Sequence, residues 1–268
     1  MLYVIQMIPL IHKTRRMKAM KNKTRSSKNG GARAAYKYKS KSKPNTNTPI
    51  KDLPKDVMKY SMGFIRPALD NKSIRKAVKD YIEGGPKKKA VIETYGKIEN
   101  WDTSRVTDMS NLFSFSYFNE DISNWDVSNV TNMKWMFFMA IKFNQPIGKW
   151  EEKTSNVINM NAMFMSAWSF NQPIGGWDTS KVSDMESMFL GAKKFNRPIN
   201  NWDVSNVTNM ESMFDSDSIY RRLRAMNFNK KLTTWGDKLP KNANVRGMFD
   251  GMKPDIIKKI APWYSTRN

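Results

Sequence analysis

Four carboxylates recur in one setting. Asp102, Asp126, Asp178 and Asp203 each follow a tryptophan and stand two residues before a serine, as "WDTS" or "WDVS". A ladder of carboxylates is one way for a repetitive chain to hold calcium. Calcium takes about six to eight oxygens, however, and each repeat offers one Asp with Ser, Thr or Asn neighbours. The same Asp closes an Asx turn more simply. A second row, Asn119, Asn144, Asn171, Asn196 and Asn229, has two readings. Each Asn is buried and satisfies backbone groups at a corner where regular hydrogen bonding stops, or the row is an exposed binding strip.

Most catalytic constellations are excluded. The chain has no cysteine and one histidine, His12, in an apolar leader. Thiol chemistry, disulfides, Ser/His/Asp triads and His- or Cys-based zinc sites therefore fall away. No Walker-type phosphate loop and no GxGxxG occurs. The expectation is a protein that is not an enzyme, with no catalytic residues, no metal and no cofactor.

Two features occur once. The net charge is +22, and residues 1–51 contain no Asp or Glu. Thirteen cations fall between Lys13 and Lys43: Lys13, Arg15, Arg16, Lys18, Lys21, Lys23, Arg25, Lys28, Arg33, Lys37, Lys39, Lys41 and Lys43. Such a run binds a polyanion through counterion release with little sequence reading, and Tyr36 and Tyr38 offer rings for base stacking. Acidic protein or anionic lipid attracts it equally. The second feature is an insertion after Phe214, "DSDSIYRRLRAMN", in which Tyr220, Arg221, Arg222 and Arg224 form a candidate phosphate- or carboxylate-binding patch. The competing reading packs Ile219, Leu223 and Met226 on the body.

The elements that position these residues come from a repeat. Trp101, Trp125, Trp150, Trp177, Trp202 and Trp235 are spaced by 24, 25, 27, 25 and 33 residues. Phe-Asn precedes five of them at a constant interval, giving "FNxxIxxW". Pro and Gly forbid a helix there, and Phe, Ile and Trp suit extended chain. In "VTNMKWMFFMA", Met133, Met136, Phe137 and Ala140 fall at i, i+3, i+4 and i+7, which predicts a short helical turn, with Thr131 and its equivalents at 107, 183 and 208 as caps. A single such unit cannot bury its Trp, Ile, Val, Met and Phe, whereas stacked units form one continuous core. The Trp and Met rows are thus structural rather than a ligand groove. Each buried side chain contributes roughly 1.5–3 kcal/mol.

Four segments result: a basic, intrinsically flexible arm (1–51), a helical cap (52–99), about five to six coils (100–252) and a C-terminal cap or tail (253–268). In the cap, Ile74, Ala77, Val78, Tyr81 and Ile82 share one helical face, stopped by Gly84, Gly85 and Pro86. The N-terminal "MLYVIQMIPLIH" is too short to span a membrane and lacks the charge order of a secretion signal.

The repeats "WDTSRVTDMSNLF", "WDVSNVTNM" and "FNQPIGGWDTSKVSDMESMF", with the lead-in from Ser73, resemble the BspA-like, mycoplasma-type leucine-rich repeats of surface proteins over about residues 73–252. The resemblance implies an α/β repeat solenoid of short strands and short helical turns, no known catalysis, and roles in adhesion or protein contact. Such repeats are also found in protists and large DNA viruses. The missing secretion signal and the basic arm depart from a surface adhesin. The expected function is a structural or protein-interaction protein, set in a virion as a minor capsid component or in the host-cell cytoplasm or nucleus. Its partners would be other proteins in a large assembly, or nucleic acid or an acidic surface through residues 13–43. A nucleic-acid-binding accessory protein and a surface adhesin stand as alternatives.

Overall fold

The computed structural model describes residues 66–216 and 228–267. The chain divides into two units, Met1–Met58 and Lys59–Asn268, and every described residue belongs to the second. The basic arm, residues 52–65 of the expected helical cap and the Tyr220–Arg224 insertion lie outside the described residues.

Helix α1 (Asn71–Glu83) starts at a capping box: the Asp70 carboxylate accepts from the Lys72 and Ser73 amides, and the Asp70 amide donates to the Ser73 hydroxyl. It ends at Gly84, whose φ of 84° suits glycine. The Gly-Gly-Pro run stops α1, but a second helix, α2 (Gly85–Tyr95), begins at once with Pro86 in its first turn, where a missing N–H is harmless. Ile74, Ala77, Val78 and Tyr81 are buried. Ile82 is 43% exposed, so the apolar face has four members rather than the five the periodicity suggests.

Six coils follow, opening at Trp101, Trp125, Trp150, Trp177, Trp202 and Trp235. Among the described residues they contain no regular strand. Parallel pairing is confined to single bridges that link Asp108, Asn132, Asn159, Asp184, Asn209 and Asn244 in turn. These bridges lie in the segment expected to be helical, not in "FNxxIxxW". That segment is a ribbon of consecutive turns. In coil 2 the amides of Met133, Trp135, Phe137 and Met139 donate to the carbonyls of Asn159, Asn161, Met163 and Met165 in coil 3, while those of Met136, Phe138 and Ala140 donate three residues back. The pattern repeats through coils 1 to 5 as twenty coil-to-coil bonds of 2.8–3.3 Å.

The physical reason is the use of the amides. An α-helical turn would close its N–H groups internally, whereas the ribbon gives every second one to the next coil. Apolar residues at i, i+3 and i+4 are buried in both, so periodicity cannot separate them. The ribbon requires left-handed residues four apart, such as Asn111 and Phe115, Trp135 and Met139, or Ala162 and Ser166. A left-handed residue costs an L-amino acid about 1–2 kcal/mol. Each cross-coil bond contributes about 0.5–1.5 kcal/mol, and the columns below add to it.

Phe113, Phe137, Phe164, Phe189, Phe214 and Phe249 stack with ring centroids 5.5–5.8 Å apart. A second column, Phe118, Phe143, Phe170, Phe195 and Phe228, runs beside it. The six repeat tryptophans are buried. The indole N–H of Trp125, Trp150, Trp177 and Trp202 each reaches an Ile carbonyl of the preceding coil's edge, at Ile98, Ile122, Ile147 and Ile174. A rigid "IxxW" interval follows, because ring and acceptor must stay in register.

The two ends differ. At the first coil, Asn71 of α1 accepts from the Thr107 and Asp108 amides, and Arg75 donates to the Ser110 carbonyl at 2.5 Å while pairing with Asp108 at 3.0 Å. Tyr81 meets Trp101 edge-on, 5.7 Å between centroids. At the last coil, α3 (Trp235–Lys238) and α4 (Pro254–Ile260) lead to Trp263, whose indole donates to the Leu232 carbonyl. Tyr264 meets Phe249 edge-on.

Candidate interaction surface

The recurring polar residues have structural partners. The Asp102, Asp126, Asp178 and Asp203 carboxylates accept from the amides of Ser104, Ser128, Ser180 and Ser205, closing Asx turns. The Ser104 and Ser180 hydrogen bonds hold the Asp102 and Asp178 carboxyls below the usual carboxylate range. The Asn row forms its own ladder: the side-chain carbonyls of Asn119, Asn144, Asn171 and Asn196 accept from the backbone amide of the next Asn, at 2.9–3.1 Å. These asparagines sit at exposed or half-buried corners rather than buried ones.

The turn caps are displaced by one residue from the expectation. Asn132, not Thr131, closes the start of its ribbon by accepting from the Lys134 amide, and Asp108, Asn159, Asp184 and Asn209 do likewise. Thr131 and Thr208 hydroxyls instead donate to a carbonyl of the preceding coil. Every coil carries an Asp or Asn three residues before its first left-handed residue, and Asp and Asn are better caps than Thr. A second residue missed by the repeat pattern is Trp263. Its signal was Ile260, three residues before it, which preserves "IxxW" without the Phe-Asn.

What the ladders leave uncommitted is aromatic. Phe115, Tyr117 and Trp135 are 40–42% exposed. Phe115 and Trp135 occupy left-handed positions, with φ of 55° and 59°. The equivalent sites in later coils carry Ala162, Ser166, Ser187, Gly191, Ser212, Gly247 and Gly251. Bulky side chains at positive φ cost free energy that small residues or glycine reduce. Phe138 bridges the two rings, 4.8 Å from Phe115 and 5.7 Å from Trp135. Lysines stand over neighbouring rings: Lys134 at 5.3 Å from Trp135 and Lys142 at 5.4 Å from Tyr117. An exposed cluster of rings fringed by ammonium groups offers apolar area together with cations.

Elsewhere, a shallow groove of about 450 Å³ crosses the Pro-Gly corners between Pro146 and Asn201. Its close coil spacing explains its glycines: a Cβ on Gly148 would lie 2.1 Å from the Pro173 carbonyl oxygen. Among the described residues no group of three His, Cys, Asp or Glu is placed to hold a metal ion, and no helix is long and apolar enough to cross a membrane. The arm cations Lys13 to Lys43 and the Tyr220, Arg221, Arg222 and Arg224 patch lie outside the described residues.

A stack of Trp-aligned coils with these ladders defines a repeat protein. The family described as "Mycoplasma protein of unknown function, DUF285" matches residues 87–154 and 151–263. The two spans together exceed half of the chain, and the chain belongs to this mycoplasma-type repeat family, which is related to BspA-like surface proteins. The match reaches Trp263, in keeping with the place of that indole in the ladder. No curated protein and no solved structure matches the chain.

Proposed function

We propose that this chain is a non-enzymatic interaction protein, a leucine-rich-repeat-like solenoid that serves as a docking scaffold and is tethered by its basic arm. The observation that carries the reading is the exposed Phe115, Tyr117 and Trp135 cluster on a backbone locked by coil-to-coil bonds. Two of these rings occupy strained positions where coils 3 to 6 use small residues, and strain at an exposed position is a reason to look for function. Aromatic anchors of this kind dominate protein interfaces. The arm and the sequence resemblance extend the proposal to a capsid-associated component of a large assembly.

The test compares the wild-type chain with a Phe115→Ser/Trp135→Ser variant in co-purification with assembled particles at high salt. Serine already occupies the equivalent sites at Ser166, Ser187 and Ser212, so the coil stack should persist. The reading expects salt-resistant association that the variant loses. A wild-type chain that stays monomeric with every candidate assembly overturns it. A second reading, nucleic-acid binding, is favoured by the thirteen cations between Lys13 and Lys43 in the acid-free arm. Deleting residues 1–51 should then abolish binding, and affinity should fall steeply with salt.

A further inference from the structure

Coil 2, residues 125–149, is locally basic: it holds three lysines and one carboxylate, Asp126. Two of those lysines, Lys134 and Lys142, stand at the exposed rings, 5.3 Å from the centroid of Trp135 and 5.4 Å from that of Tyr117. Among the described residues neither ammonium group pairs with a carboxylate. The carboxylates of coils 1 and 2 are engaged elsewhere. Asp102, Asp121 and Asp126 accept from serine amides, Asp108 pairs with Arg75, and Glu120 takes Tyr81 and Lys88.

The rings between these cations form one apolar contact rather than scattered ones. Phe115 and Trp135 both touch Phe138, which is 4% exposed, so the two outer rings are held together across two coils. At 40–42% exposed, Phe115, Tyr117 and Trp135 lie against the body instead of projecting from it. A lysine over a ring takes part of that ring's face. Its ammonium group keeps donors to spare, since it carries three and the ring consumes none as a conventional acceptor. The surface thus offers apolar area and unmet positive charge side by side.

We infer that this surface takes up an acidic segment of a partner protein with an apolar side chain at its centre. The apolar side chain packs on Phe115 and Trp135, and flanking carboxylates accept from Lys134 and Lys142 in charge-assisted bonds. The partner class rests on the docking reading of these rings and adds the charge that the occupant must carry. Single-stranded nucleic acid fits less well, because bases stack on ring faces and lysines stand over those of Trp135 and Tyr117. A lipid surface fits less well, because rings lying flat on the body cannot enter the acyl boundary. A second copy of a chain of net charge +22 is repelled.

The experiment titrates the full-length chain with a labelled twelve-residue peptide that has two leucines at its centre and glutamates around them. The comparisons are the same peptide with serine for leucine, a leucine–lysine peptide, a single-stranded oligonucleotide and phosphatidylserine vesicles. The basic arm attracts any polyanion, but it is the same in every variant, so the site is read from differences between variants. Phe115→Ser/Trp135→Ser should weaken binding of the leucine–glutamate peptide by about tenfold or more. Lys134→Gln/Lys142→Gln should weaken it by about fivefold. The serine peptide should not distinguish the ring variant from wild type. Slow hydrogen exchange at the Met210, Ser212 and Phe214 amides, which bond the next coil, checks that each variant is folded. Equal binding of the leucine–glutamate peptide by wild type and ring variant overturns the inference. So does a larger effect of the ring substitutions on the leucine–lysine peptide, the oligonucleotide or the vesicles, or ring-dependent self-association without any peptide. If the ring variant loses particle association while the lysine variant binds both particles and peptide as wild type does, the acidic partner is wrong and the docking reading stands. If the ring variant keeps particle association, the docking reading itself fails.

Discussion

The two ends of the coil stack face the same problem and meet different halves of it. A terminal coil exposes both apolar columns and a row of backbone groups. At the first coil, α1 and α2 answer both: Tyr81 covers Trp101, while Asn71 and Arg75 occupy Thr107, Asp108 and Ser110. At the last coil, Trp263 and Tyr264 cover the rings, and the amide row of Val245, Gly247, Phe249 and Gly251 has no backbone acceptor among the described residues. Covering apolar area and satisfying backbone polarity are separable requirements.

The sharpest break in that comparison is Trp101→Ala. It removes a buried ring stacked on Trp125 and edge-on to Tyr81. The expected loss is about 4 kcal/mol in urea unfolding, and a loss below that of Trp263→Ala would show that the N-terminal end is not held through its ring column. Trp263→Ala comes next. The ring is half-buried and its indole bonds Leu232, so about 2 kcal/mol should be lost.

Asn71→Ala isolates the polar half of the N-terminal closure. Two amides lose their acceptor at a half-exposed site, at a cost of about 1 kcal/mol. The same substitution should also speed hydrogen exchange at Thr107 and Asp108, making the first coil's edge resemble the last one.

The smallest effect is electrostatic. Partial burial raises the Asp108 pKa, but the Ser110 hydrogen bonds and Arg75 outweigh it and leave the carboxyl lowered. A lowered folded-state pKa stabilises fully above the unfolded value of about 4 and is lost as pH falls through the folded value. Asp108→Asn keeps the Asx turn, since Asn132, Asn159 and Asn209 serve in other coils. The variant should therefore lose less stability than wild type between about pH 5 and pH 2, by under about 1 kcal/mol at this exposed pair. Parallel acid profiles would remove Arg75–Asp108 from the account of the N-terminal end.

Much of the stack was legible in advance because stacking demands identity. A ring that must lie on its own copy in the next coil cannot vary, so Trp125, Phe137 and Phe143 announce themselves through their repeats. The constant "IxxW" interval reflects one bond, from indole to the preceding Ile carbonyl. The aromatic cluster was not legible. Phe115 and Trp135 look like further members of apolar repeats, and only the backbone shows them at left-handed, outward positions. The periodicity cannot tell the ribbon from a helical turn, because both bury Met133, Met136 and Phe137.

The sequence by itself determined the period, the residues of each column, the turn-closing Asp of "WDxS" and the absence of thiol chemistry, since all of these depend on residue type and spacing. The tertiary structure alone decided where each amide sends its proton. That choice depends on what lies one coil away, some 25 residues along the chain, and no local pattern records it. The same choice separates a helical turn from a ladder, and a first coil whose edge groups are met by α1 from a last coil whose amide row has no backbone acceptor among the described residues.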